Sequence, residues 1–97
     1  MNRIIWSPKA VASLQKLIDF VETKWGTKPA DKLLDEIDRT VERISLNPKI
    51  YPLFSKKKNL RRCVIARKTL LFYREKSNRI EIVVLVDSRQ NPKKYFI

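Results

Sequence analysis

The sequence predicts an α+β two-layer sandwich in the order β-α-α-β-β-β: an N-terminal strand, an antiparallel αα-hairpin, then a three-stranded antiparallel meander. Two successive apolar stripes at three- and four-residue spacing lie on either side of Gly26, the chain's one glycine. Beyond Pro48 that period stops, and short aliphatic runs alternate with polar turns. At 97 residues and 43% hydrophobic content the chain has material for one core, so it reads as a single domain over 1–97.

Arg3-Ile4-Ile5-Trp6 is short and largely apolar and meets Ser7-Pro8, which marks a strand followed by a helix start. A serine hydroxyl accepts a bond from an orphan backbone N–H of the first turn, and proline at the first helical position gives up a donor that would be unpaired anyway. Val11, Leu14, Ile18, Val21 and Trp25 then define a helix over about 8–25, with Leu17 widening the stripe. Gly26 closes it, and Thr27 is expected to cap a second helix carrying Ala30, Leu34, Ile37, Val41 and Ile44, broadened by Leu33. Asn47-Pro48 ends that helix, because the residue before proline is pushed out of the α region. Residues 49–59 are a connector. Leu60 to Ala66, Thr69 to Arg74 and Ile80 to Val86 are the remaining strands, with turns at Arg67-Lys68 and Lys76-Ser77-Asn78. The near-continuous Ile/Val/Leu run of the last marks a central strand covered on both faces. The polar tail after it is expected to leave the sheet.

Composition narrows the chemistry. The chain has no histidine, which removes Ser-His-Asp and Cys-His catalysis, and its single Cys63 can neither close an internal disulfide nor build a structural zinc site. No cofactor and no metal are expected. One cysteine, no apolar run of about 20 residues and no signal-like apolar stretch near the N-terminus point to the cytoplasm and away from membranes. The net charge is +12, and it is uneven. Residues 1–50 carry nine basic and seven acidic side chains, residues 51–97 thirteen and three, so the strand half is the anion-facing part.

Within that half, the lysine triplet 56–58 lies in the connector, as a solvated loop or as point charges for phosphate. Arg61 and Arg62 are consecutive on a strand and must point to opposite faces. Arg67, Lys68, Arg74 and Arg79 fall at strand ends, and Arg89, Lys93, Lys94 and Tyr95 crowd the C-terminal segment as cations beside an aromatic ring. Trp6, Phe20, Trp25, Phe72 and Tyr73 fit core or hairpin positions, whereas Tyr51, Phe54, Tyr95 and Phe96 are free to stack on bases or anchor a partner. Cys63 in an apolar strand reads as an inert core residue.

The whole chain resembles the RelE/ParE superfamily of type II toxin–antitoxin toxins, and its ParE-like branch most closely. Ile5-Trp6-Ser7-Pro8-Lys9-Ala10 with Leu14 and Ile18 is similar to the family's opening strand and helix, and Phe20 to Gly26 to the ParE-type end of that helix. Asn47-Pro48, Tyr51-Pro52, Leu60-Arg61-Arg62, Leu71-Phe72-Tyr73-Arg74 and the stretch from Asp87 to Pro92 follow its strand region and basic tail. The resemblance implies a growth-inhibiting toxin that binds and inhibits DNA gyrase and is neutralised by a small acidic cognate antitoxin. Arg61, Arg62, Arg89, Lys93, Lys94 and Tyr95 are then the expected target contacts, and Trp25, Leu33, Tyr51 and Phe54 the expected antitoxin contacts. RelE-like members are instead ribosome-dependent mRNA endonucleases, and Arg89 and Tyr95 fall roughly where those place an arginine and a tyrosine. Their further arginine before the hydrophobic-Tyr pair is here Leu70 or Leu71, which weighs against nuclease activity. A non-toxic nucleic-acid-binding member is the third reading.

Overall fold

Ser7 has an extended backbone, and its hydroxyl accepts a hydrogen bond from the Ala10 N–H at 2.9 Å, so the chain turns from strand into helix where the sequence expects. The computed structural model describes residues 2–88. It contains β1 (Arg3–Trp6), α1 (Pro8–Trp25), α2 (Thr27–Leu46), β2 (Leu53–Ser55), β3 (Leu60–Ile65), β4 (Thr69–Lys76) and β5 (Arg79–Asp87). The α+β class and the element order of the sequence analysis hold, with one strand more than expected. β2 is a three-residue edge strand within the 49–59 connector, too short for alternation to be visible in sequence.

The sheet order is β1-β5-β4-β3-β2. β1 runs parallel to β5, with Arg3 opposite Arg79 and Trp6 opposite Ile82, and the other neighbours are antiparallel. β5 is thus a central strand. A bulge between Phe72 and Tyr73 of β4 and Val84 and Ile82 of β5 puts Val83 and Val84 together on the face away from the helices. The helix-side core holds Ala10, Leu17, Leu33, Ile37, Ile44, Cys63, Ile65, Leu71, Tyr73, Ile80, Ile82 and Leu85. The far face holds Leu60, Leu70, Phe72, Val83 and Val84, with Val86 packed against them.

Two details of the helices differ from expectation. Gly26, not Thr27, is the residue between them: it closes α1 by donating its N–H to the Glu22 carbonyl at 2.9 Å and stands at the N-cap of α2, while Thr27 is already helical. Its φ of 98° and ψ of 179° belong to a region essentially restricted to glycine. Secondly, α1 is rotated relative to its apolar stripe. Ala10 and Leu17 are buried, whereas Val11, Phe20 and Trp25 are 55%, 43% and 48% exposed. The cause is Ser13, whose hydroxyl accepts from the Leu85 N–H at 3.0 Å and so draws the 10-13-17 line of α1 onto the sheet.

The connector after α2 is tied down from below. Tyr73, fully buried in β4, donates its hydroxyl to the Pro48 carbonyl at 2.8 Å, and its ring meets Tyr51 edge-on at 6.5 Å. Burial disfavours the phenolate and pushes Tyr73 up to about 12 from 10.0.

Gly26→Ala should destabilise the protein by about 1–3 kcal/mol in denaturant unfolding through backbone strain alone, since nothing lies within 4 Å of the added methyl group. Tyr73→Phe should cost about 1 kcal/mol near neutral pH by orphaning the Pro48 carbonyl. The folded-state value of Tyr73 lies above the unfolded one, so its contribution is complete below pH 10 and is lost as pH rises through about 12. Wild type should therefore lose more stability than Tyr73→Phe between about pH 9 and about pH 11.5; equal losses would remove the phenol from the explanation.

Candidate functional site

Alternation along β3 separates the two consecutive arginines, as expected. Arg61 lies on the side of Cys63 and Ile65, half-buried, with its Nη1 donating to the Tyr51 carbonyl at 2.7 Å. It straps the connector to β3 and has little left for a partner. Arg62 lies on the far face with Leu60 and Val64, exposed, its guanidinium 5.1 Å from the Phe54 ring centroid. Phe54 is 47% exposed and rests edge-on against buried Phe72 at 5.1 Å. Arg62 and Phe54 are therefore a cation–aromatic pair footed on the core and open to a partner.

The lysine triplet occupies the β2–β3 turn. The Lys58 N–H donates to the Ser55 hydroxyl at 3.2 Å, and the Asn59 side-chain amide donates to the Glu75 carbonyl of β4 at 2.9 Å. Asn59 adopts φ of 49°, which asparagine tolerates better than most residues. The turn is pinned to the sheet, so its charges have a defined place instead of belonging to a loose loop.

Tyr51 sits half-buried beneath β3, its hydroxyl accepting from Arg43 Nη1 at 3.4 Å. Burial raises the pKa of Tyr51 and of the Cys63 thiol. Together with Tyr73, the three groups that chemistry would need as bases or nucleophiles are held in their neutral forms. Leu70 and Leu71, at the position where the nuclease branch has an arginine, are both buried: Leu70 in the far-face cluster, Leu71 in the helix-side core. Among the described residues no group of His, Cys, Asp or Glu could hold a metal ion, and no helix is long and apolar enough to cross a membrane.

The expected antitoxin contacts do not form one patch of the same kind. Trp25 is exposed at the end of α1, where it meets Phe20 edge-on at 5.8 Å, and Lys24 Nζ lies 5.4 Å from both ring centroids. This corrects the expectation of core positions for Phe20 and Trp25: the rotation of α1 turns both outward. Leu33 is buried in the helix-side core and supports the hairpin without presenting a surface. Arg89, Lys93, Lys94 and Tyr95 lie outside the described residues.

Two concavities were not apparent in sequence. A groove of about 800 Å³ runs between α1 and the second half of β5, flanked by Lys9, Lys16, Phe20 and Lys24 on the helix and floored by Val84, Leu85 and Val86. The lysine spacing along α1 is its sequence signal, and it is hidden while α1 is read only for its apolar stripe. A second depression of about 610 Å³ gathers Lys9, Lys57, Lys58, Arg74 and Glu81 from four elements and turns, a meeting that only the tertiary fold creates.

Residues 4–92 match the family described as the ParE toxin of the type II toxin–antitoxin system, parDE. The protein named Toxin ParE1 in two strains of Mycobacterium tuberculosis is 33% identical over 49 residues, which is 50% of this chain and 50% of that protein. The chain thus matches about half the length of these curated relatives. A structure described as the chromosomal ParDE toxin–antitoxin system from P. aeruginosa superposes with a TM-score of 0.75 at 21% identity, covering 90% of this chain and 96% of that one. The solution structure of a conserved hypothetical protein from Helicobacter pylori does so with a TM-score of 0.58 at 22% identity, covering 90% and 94%. At these identities the two structures speak for the fold. With a family match along almost its whole length and the strand–hairpin–sheet architecture just described, this chain belongs to the ParE toxin family of type II toxin–antitoxin systems.

Proposed function

We propose that this chain acts by binding, without catalysing a reaction, that its target is DNA gyrase, and that a cognate antitoxin neutralises it in the cytoplasm. The carrying observation is Leu70. In the position that the nuclease branch reserves for an arginine, this chain has a buried leucine within an apolar cluster, and its buried phenols and thiol are held neutral. That leaves stabilisation of a cleaved phosphodiester poorly supplied and binding well supplied. Membership of the ParE family supports the gyrase reading, and a structural neighbour described as a ParDE system supports an antitoxin partner.

In this reading Arg62 contacts the target directly, together with Arg89, Lys93, Lys94 and Tyr95 of the C-terminal segment, and Arg61 positions β3 from behind. Trp25, Tyr51 and Phe54 serve the antitoxin, with Leu33 holding the hairpin beneath. An acidic partner suits the charge of +12.

Induced expression in bacteria should arrest growth and induce the DNA-damage response, and the purified chain should inhibit supercoiling by gyrase. The double reversal Arg89→Glu/Lys93→Glu should abolish both effects while leaving the unfolding midpoint unchanged. Growth arrest with cleavage of ribosome-bound messages and intact supercoiling would instead place the chain with the mRNA endonucleases.

A further inference from the structure

The far face of the sheet carries a second feature that neither toxin activity nor antitoxin binding requires. Arg74 of β4 and Glu81 of β5 are cross-strand partners, and their side chains approach to 3.6 Å from Nε to Oε1. That is an ion pair but too long for a hydrogen bond, and Arg74 Nε, shielded from solvent, has no hydrogen-bond acceptor. Around this pair lie Lys9 from the first turn of α1 and Lys57 and Lys58 from the pinned β2–β3 turn, lining a depression of about 610 Å³. Four cations thus face one carboxylate. Like charges are brought together in this way at a cost that a bound anion relieves.

The chemistry of the set points to phosphate. A guanidinium presents a planar fork that matches phosphate oxygens, and lysines supply mobile point charges around it. The extent of the depression and the placing of its neighbours favour a chain of phosphates over a single ion. Arg62 faces Phe72 in the β3–β4 register, two residues along the strand from the level of Arg74, or roughly 7 Å. It therefore places the exposed Arg62–Phe54 pair beside the cationic depression on the same face. Backbone-tracking cations next to an aromatic and guanidinium platform are the two components by which proteins hold a single nucleic-acid strand.

We propose that the depression formed by Lys9, Lys57, Lys58 and Arg74 binds the phosphodiester backbone of a nucleic-acid strand, with the Arg62–Phe54 pair stacking on an adjacent base and Glu81 limiting the affinity. The site is separate from the C-terminal target contacts proposed above and does not depend on gyrase being the target.

The test is fluorescence anisotropy of a labelled oligothymidine with the purified chain across a salt series. Lys9→Glu/Lys57→Glu should weaken binding about tenfold or more at low salt and reduce the log–log salt slope by about 2. Lys28→Glu/Lys32→Glu, which changes the net charge equally at exposed positions of α2, should leave the slope unchanged. Glu81→Gln should tighten binding several-fold, a gain that no unfolded variant can mimic. Equal losses in the two double variants, or no gain with Glu81→Gln, would overturn the site in favour of diffuse charge. Competition by polyglutamate as effective as by unlabelled oligothymidine of equal charge would reassign it to an acidic protein segment. Displacement by millimolar inorganic phosphate alone would reduce it to a single-anion site. Since the readout is binding by the isolated chain, its failure leaves the growth-arrest and supercoiling results untouched, and their failure leaves it standing.

Discussion

The structure depends on how the backbone of β5 is satisfied along its outer edge. β5 is the central strand and is buried on both faces, so an unpaired amide or carbonyl there carries the full cost of desolvation. β1 pairs only with Arg79–Ile82. Beyond that point, among the described residues, the neighbour of β5 is the start of α1. The Ser7 N–H donates to the Ile82 carbonyl at 3.0 Å, the Ser7 hydroxyl donates to the Val83 carbonyl at 2.8 Å, and the Ser13 hydroxyl accepts from the Leu85 N–H at 3.0 Å. Two serines on a helix thus stand in for the missing strand. Each also serves its own helix: Ser7 as N-cap, Ser13 by donating to the Ala10 carbonyl at 3.0 Å.

Much of the surface follows from this arrangement. Once Ser13 faces β5, Ala10 and Leu17 go to the core, and Phe20 and Trp25 are left outside with Lys24 above them. The same docking opens the lysine-flanked groove between α1 and β5 and brings Lys9 to the rim of the far face, where it meets charges from β2–β3 and β4. The charge difference between the two halves of the sequence therefore maps only partly onto the fold. The sheet half supplies the arginines and the turn lysines, yet α1 contributes cations to both concavities. A family built for binding can vary such a surface without touching the core that presents it.

Local rules explain why much of the architecture was legible in the sequence. Ser7-Pro8, Gly26 and Asn47-Pro48 each act within a turn of chain, and the aliphatic run of β5 announces a strand covered on both sides. What was not legible is non-local or very short. β2 has three residues and follows a proline. The parallel pairing of β1 with β5 joins opposite ends of the described chain. A serine within an amphipathic helix reads as part of its polar face, so nothing around Ser13 signals that it turns inward. Thr27 looks like a better cap than Gly26, but a linker of one residue demands a backbone conformation that only glycine tolerates. At the candidate sites, the separation of Arg61 from Arg62 follows from strand alternation alone. The convergence of Lys9, Arg74 and Glu81 needed the whole topology.

Native-state amide hydrogen exchange by NMR tests the central role of the serine-completed edge most directly. The Leu85 amide should exchange as slowly as those of Val84 and Val86 inside the β4–β5 ladder. In Ser13→Ala its protection should fall selectively by about tenfold or more, the equivalent of losing roughly 1.4 kcal/mol, while its ladder neighbours keep theirs. A Leu85 amide already exchanging freely in the wild-type protein, or one equally protected without the Ser13 hydroxyl, would contradict the account.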